Sequence, residues 1–449
     1  MTAVICSGAS FNVTPTDSLN GIVPDGTLFS WNPPSFTSSI SGGQSGSNQL
    51  SVFGKLTNTS NLTQTATYIV TPTTLGCGPN NQFSVVVTVH AKPEITTIAF
   101  SECSHVPFAI SPTNGVNGIV PPNTLYSWNP PQLSSLSITG GQSGTNAAIF
   151  AGRLQNNTPI VQTVTYTVSP VSSSTGCAGA NFTIIITLNP CGLINNLTTV
   201  TCSGIAFEVS PRDGIDGVVP SDTRYDWGIP AVSSPSLTGG QAGAAGQLSI
   251  YGNLHNATNV VQTAVYTVFN RTELGSCDGL TFTVTVFVNP TPEISTMSTV
   301  ICTGVEFELS PANGLNGIVP ANTSYSWDAP TYTASLSGGQ TGTLENRIFG
   351  TLMSSSNVPQ TATYIVTPRS AALCTGATFT VKVTVKPGAF INSISRVTCS
   401  GVLFEATPVQ GTNGIVPEGT LYSWSEPVFT GTVTGGEAQT DKTRIYGLL

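Results

Sequence analysis

The stretch Gln64-Thr65-Ala66-Thr67-Tyr68-Ile69-Val70-Thr71 and, after a Gly- and Pro-containing connection, Phe83-Ser84-Val85-Val86-Val87-Thr88-Val89 decide the fold. In the first, Ala66, Tyr68 and Val70 stand against Thr65, Thr67 and Ile69; in the second, Phe83, Val85, Val87 and Val89 fall on one face. Period two is the signature of a strand with one buried face, because successive side chains of extended backbone point to opposite sides. Working back towards the start, Phe11 and Val13 alternate with polar residues up to Pro15. Thr27 to Trp31 reads as a second strand closed by Pro33-Pro34, and Leu50 to Leu56 as a third. Asn20-Gly21 and Ser41-Gly42-Gly43 supply turns, since glycine accepts positive φ and asparagine tolerates it. Short strands with turn signals every ~8–12 residues, and no stretch of helical period, describe an all-β sandwich.

The same words return five times. Cys6-Ser7-Gly8, Asn20-Gly21-Ile22-Val23-Pro24, Trp31 and Ser41-Gly42-Gly43 reappear as Cys202-Ser203-Gly204, Asp216-Gly217-Val218-Val219-Pro220, Trp227 and Thr238-Gly239-Gly240. The leading cysteines Cys6, Cys103, Cys202, Cys302 and Cys399 step by 97, 99, 100 and 97 residues. A period of that size is one small domain per copy, so the chain is a tandem array. The boundaries fall at residues 1–92, 93–190, 191–290 and 291–387, with an incomplete fifth copy at 388–449. The joints, such as His90-Ala91-Lys92-Pro93-Glu94-Ile95 and Asn289-Pro290-Thr291-Pro292-Glu293-Ile294, are short and proline-bearing, which favours an extended, stiff connection and hence an extended rod.

Composition narrows the function. Only 8% of residues are charged and the net charge is −8 over 449 residues. No basic stripe exists, so nucleic acid is not an expected partner. No run of 18 apolar residues occurs, so no membrane-spanning helix is expected. His90, His105 and His255 do not share a repeat position, and the chain has neither a G-x-S-x-G elbow nor an H-E-x-x-H motif. No catalytic residue, cofactor or metal is therefore expected, and the chain does not read as an enzyme. The most acidic loop, Asp213-Gly214-Ile215-Asp216-Gly217, invites calcium. Its counterparts carry Asn114 and Asn117, or Asn313 and Asn316, and read as a turn instead.

Cysteine spacing suggests a clamp inside each full repeat. Cys6/Cys77, Cys103/Cys177, Cys202/Cys277 and Cys302/Cys374 lie 71 to 75 residues apart, without the CxxC pairs or histidines of a zinc site. Closing a loop of that length contributes about 4 kcal/mol in the chain-entropy model and implies an oxidising compartment outside the cytoplasm. Cys191 and Cys399 are left unpaired within the chain, Cys191 either free or cross-linked to a neighbouring chain. Trp31, Trp128, Trp227, Trp327 and Trp424 each follow an aromatic residue two positions earlier and read as core anchors rather than a lectin platform. Among the N-x-[ST] sequons, Asn58, Asn156 and Asn256 recur at one repeat position and are candidates for glycosylation. Ser18, in Asp17-Ser18-Leu19, is a candidate for O-glycosylation.

The phrases Cys302-Thr303-Gly304-Val305-Glu306-Phe307, Asn316-Gly317-Ile318-Val319-Pro320, Tyr325-Ser326-Trp327 and Gln360-Thr361-Ala362-Thr363-Tyr364-Ile365-Val366-Thr367-Pro368 resemble the PKD-like, immunoglobulin-like repeats of very large secreted proteins of Bacteroidota. The resemblance runs along the whole chain. It implies an extracellular or cell-surface array acting as an adhesin, stalk or filament, and no catalytic residues. The expected function is structural, a rigid surface rod or filament built with neighbouring repeats and further copies of the protein. The alternative is an adhesin that binds glycans or surface proteins of a host or neighbouring cell. Met1-Thr2-Ala3-Val4-Ile5 runs into the first repeat with no charged-then-apolar leader, so the native start is expected elsewhere. The fifth repeat stops at Leu449, the match of Leu56. Either the array continues, or another subunit supplies the missing strands by strand complementation.

Overall fold

The computed structural model describes residues 1–78 and 81–449. In the first repeat the strands are β1 (Thr2–Cys6), β2 (Ser10–Val13), β3 (Leu28–Trp31), β4 (Ser35–Phe36), β5 (Ile40–Gly42), β6 (Gly46–Gln49), β7 (Val52–Asn58), β8 (Gln64–Thr73) and β9 (Phe83–His90). They form two sheets. The larger runs β1-β9-β8-β3-β6 with β4 joined to β8, and the smaller runs β2-β7-β5. The period-two pattern is what allows this: Tyr68 and Val70 on β8, Val85, Val87 and Val89 on β9, and Phe29 and Trp31 on β3 turn inward to meet Phe11, Val52 and Leu56 of the smaller sheet. Each fully buried side chain of this kind contributes about 1.5–3 kcal/mol. Repeats two, three and four repeat the arrangement around their own cores, making an all-β array of immunoglobulin-like sandwiches. The one helical turn among the described residues is the 3₁₀ turn Leu274–Ser276.

Two features depart from the sequence expectation. The expected strand from Leu50 to Leu56 is found at Val52–Asn58, and a separate strand that the sequence did not mark, Gly46–Gln49, precedes it. Gly46–Gln49 belongs to the large sheet and Val52–Asn58 to the small one, and the chain changes sheets at Leu50-Ser51. β1, which no alternation in the sequence marks, pairs in parallel with the last strand of its own repeat, Thr2 opposite Val86 and Cys6 opposite His90. Its counterparts Ile98–Cys103, Leu197–Cys202 and Met297–Cys302 do the same against Phe182–Asn189, Phe282–Asn289 and Phe379–Lys386. Each leading cysteine is thereby carried to the downstream end of its repeat.

The joints are hydrogen-bonded as well as proline-stiffened. Glu94–Ile95, just past Pro93, forms a two-stranded ribbon with Gly118–Ile119 of the Asn-Gly-Ile-Val-Pro turn. Leu193–Ile194, Glu293–Ile294 and Phe390–Ile391 form the same ribbon in the next three repeats. Gly118 sits at φ +110°, and a Cβ there would lie 2.2 Å from the Glu94 carbonyl oxygen, so the ribbon requires glycine. In the fifth repeat, Leu403–Ala406 pairs with Ile445–Leu448 and Tyr422–Trp424 with Gln439–Lys442, while residues 394–399 form no strand.

Candidate functional site at the junctions between repeats

The within-repeat pairs Cys6/Cys77, Cys103/Cys177, Cys202/Cys277 and Cys302/Cys374 do not form. The disulfides are Cys6–Cys177, Cys103–Cys277 and Cys202–Cys374, with Cα atoms 5.5 to 5.7 Å apart. Each joins the leading cysteine of one repeat to the second cysteine of the next, leaving Cys77 and Cys302 as exposed thiols. Strand direction explains the correction. The parallel β1/β9 pairing puts Cys6 beside His90 at the downstream end, whereas Cys77 lies in the β8–β9 connection at the upstream end. The eight residues of β9, at ~3.3 Å each, separate the two ends by roughly 25 Å, far beyond the ~4.4–6.8 Å between Cα atoms that a disulfide spans. The downstream cysteine of one repeat instead meets the upstream hairpin of the next. Cys177, Cys277 and Cys374 are buried there, while Cys77 is exposed.

The rest of the Cys-Ser-Gly word serves the same corner. The Ser7 hydroxyl accepts the Asn58 amide N–H at 2.9 Å and donates to the Asn58 carbonyl. Ser104, Ser203 and Thr303 accept the amides of Asn156, Asn256 and Ser354 in the same way. Gly8 donates its N–H to the Leu56 carbonyl.

Asn58, Asn156 and Asn256 are buried structural residues, which overturns their reading as glycosylation sites. The Asn58 Nδ2 donates to the Leu62 and Val89 carbonyls at 2.7 and 3.0 Å, and its Oδ1 accepts from the Ser60 N–H and hydroxyl. Asn156 and Asn256 repeat this network onto Leu188 and Val288. With the residues at most 2% exposed, the nitrogen that would carry a glycan faces the last strand. The Ser and Thr of the sequon are there to complete this network. Ser18, by contrast, is exposed.

Linker residues complete the junction. The Thr291 hydroxyl donates to the Ser203 carbonyl at 3.1 Å, and Cys191, one repeat earlier, points its thiol at the Ser104 carbonyl at 3.7 Å. Cys191 therefore replaces a hydroxyl donor. Its burial raises the thiol pKa and encloses the sulfur, so it is not placed to cross-link another chain. Between repeats two and three, the Thr272 hydroxyl donates to the Pro190 carbonyl and the Leu280 N–H to the Gly192 carbonyl. Two residues past each stapled hairpin cysteine is a glycine. A Cβ at Gly179 or Gly376 would stand 2.3 or 2.0 Å from the carbonyl oxygen of Pro93 or Pro292. This Cys-x-Gly spacing is a visible signal in the sequence that the second cysteine faces a linker.

Trp31, Trp128, Trp227 and Trp327 are buried, and each indole N–H donates to the main-chain carbonyl of the glutamine after the Gly-Gly turn, at 2.8 to 3.2 Å. Trp424 makes the equivalent bond to Glu437 but is only half-buried. In the acidic loop, Asp216 accepts the Arg212 N–H and Asp213 the Val219 N–H, just as Asn117 and Asn114 accept from Thr113 and Val120. The carboxylates act as turn acceptors. Cys399 is a free, exposed thiol.

An array of all-β, immunoglobulin-like sandwiches held by disulfides across their junctions is the architecture of a structural or adhesion repeat protein. Comparison with known families matches the PKD-like domain at residues 3–93, 101–192, 199–292 and 299–389, and the chain belongs to that family. Repeats of this type are typically structural or adhesive modules rather than catalysts, and with three disulfides they fit an extracellular protein. No curated protein matches the sequence. Among solved structures, the chain is similar to the human desmocollin-1 ectodomain (12% identity, 100% of this chain and 92% of that one, TM-score 0.22). It is also similar to Sidekick-1 immunoglobulin domains 1–4 (11%, 87% and 97%, TM-score 0.20) and to the insect immune protein hemolin (9%, 86% and 97%, TM-score 0.23). At these TM-scores the likenesses carry no argument about function. Among the described residues no helix is long and apolar enough to cross a membrane.

Proposed function

We propose that the protein is a structural element of an extracellular, cell-surface array, a stiff rod or filament of PKD-like repeats of the kind found in large secreted proteins of Bacteroidota. The observation that carries this reading is the disulfide across each of the first three junctions, together with a two-stranded ribbon that anchors the far end of each linker to the repeat it enters. A flexible string of binding modules has no need of either. Repeats of ~30–40 Å, from strands of about ten residues, make a rod on the order of 150 Å. Electron microscopy of the purified chain tests this, since compact or freely bent particles would overturn it. Further copies of the protein are the proposed partners for lengthening the filament, including complementation of the fifth repeat by strands supplied from elsewhere. Ser18 is the proposed glycan acceptor, checked by the mass of the peptide carrying Asp17-Ser18-Leu19.

A second reading, an adhesin for glycans or surface proteins, is favoured by one recurring feature. Leu19, Val116, Ile215 and Leu315 stand at the same turn in four repeats and are 65 to 82% exposed, on a loop fixed by side-chain hydrogen bonds. Strong, repeat-dependent binding on a glycan array, lost when these side chains become serine, would support it.

A further inference from the structure

Each of the three disulfides spans one linker. Cys6–Cys177 crosses the joint between repeats one and two, Cys103–Cys277 the joint between two and three, and Cys202–Cys374 the joint between three and four. The loops overlap, since Cys103 lies inside the first and Cys277 inside the third. We propose that the staples form a covalent bypass around these linkers, making the array a length-limited, load-bearing cable that withstands both unfolding under tension and cleavage of a linker. The proposal deepens the structural reading by naming what bears the load.

Tension between the ends takes the shortest covalent route. It passes from Met1 to Cys6, crosses to Cys177, runs to Cys202, crosses to Cys374 and continues to Leu449. These segments hold 6, 26 and 76 residues. The taut chain is thus about 108 residues, or roughly 380 Å at ~3.5 Å per residue, against roughly 1,600 Å for the chain without disulfides. Most strands of the first four repeats lie in closed loops off this route. The internal segment under load, 177–202, contains the last strand of repeat two, the linker and the first strand of repeat three. Cys103–Cys277 works in parallel with that segment and keeps the two halves joined if the segment is cut. The fourth linker, around Pro387-Gly388, has no staple, because Cys302 is free.

The test stretches the full chain, tethered at its two ends, in a single-molecule force experiment before and after treatment with dithiothreitol. The expected extension is roughly 380 Å oxidised, rising about fourfold on reduction. Pairing within repeats would give about 160 taut residues, roughly 560 Å, before reduction, and that result would overturn the proposal. So would full extension without reductant. A second measurement places a sequence-specific protease site in each linker in turn. On a non-reducing gel, cleavage of the first three linkers should release nothing, while cleavage at the fourth frees the fifth repeat. Release at any of the first three refutes the bypass. Bent or compact particles in micrographs together with an intact bypass would overturn the rod and leave this inference standing.

Discussion

Repeats four and five open with nearly the same words, Cys302-Thr303-Gly304 to Trp327 and Cys399-Ser400-Gly401 to Trp424, yet they do not fold alike. In repeat four, Met297–Cys302 is a strand against Phe379–Lys386, and Phe307 and Trp327 are 3 and 4% exposed. In repeat five the matching residues 394–399 form no strand, Phe404 and Trp424 are only half-buried, and Phe404 lines an open apolar groove with Ile391, Ile394, Ala406, Ile445 and Leu449. What survives is local. Val409 donates to Asn413 as Ala312 does to Asn316, and the ribbon forms in both. Turns and ribbons therefore follow from nearby sequence. The first strand and the closed core depend on the last two strands of the repeat, which in repeat four are Gln360–Arg369 and Phe379–Lys386.

The comparison can be broken most sharply at a staple. Replacing Cys202 and Cys374 together by serine removes a closure of 172 residues, worth about 5 kcal/mol in the chain-entropy model. It should make the third junction behave as the unstapled fourth does. Hydrogen exchange at the Glu293–Ile294 ribbon should rise towards that of Phe390–Ile391, and unchanged protection would show that the staple does not hold the junction. Next in size, Trp227→Ala should cost repeat three about 3–5 kcal/mol, and Trp424→Ala less than half as much because Trp424 anchors no closed core. Denaturation followed by exchange in each repeat separates the two, since a chain of several domains has no single unfolding free energy. Equal losses would mean that repeat five is as well packed as the others.

A smaller effect is expected at the buried asparagine. Asn256→Ala strips the Val260 and Val288 carbonyls of their donor and should cost about 1–3 kcal/mol. Asn256→Ser, which copies Ser354 of repeat four, should cost less. A variant as stable as the parent would return the position to a surface role. The mildest test is alkaline. Burial pushes the Tyr68, Tyr166, Tyr266 and Tyr364 hydroxyls up to about 12. A phenol whose pKa is raised by folding keeps its proton longer in the native state. Its contribution is complete below the unfolded value of about 10 and is lost as pH rises towards 12. Stability should stay level to about pH 10 and fall above it, together with a late phenolate fraction from these buried tyrosines that appears after the exposed ones, such as Tyr251 and Tyr332, have ionised. Early ionisation of all the tyrosines would contradict closed cores in repeats one to four.

Much of the fold is legible in the amino-acid order alone. The period, the strands around Tyr68 and Val87, the Asn-Gly turns and the one tryptophan per repeat rest on short-range patterns. The asparagine sequons mislead because burial cannot be seen in three residues. Asn58 is inside only because the last strand, at Val89, passes over it. The staples mislead for a related reason. Cysteine spacing is nearly constant within a repeat, at 71 to 75 residues, and also to the next repeat, at 171 to 174. Spacing alone does not choose between them.

By itself, then, the sequence determined a tandem array of all-β domains, because side-chain alternation and turn chemistry act over a few residues and repeat. Only the tertiary structure decided which cysteines meet. That depends on β1 running parallel to β9, a pairing between residues 84 positions apart, which sends the leading cysteine to the far end of its own domain and into reach of the next.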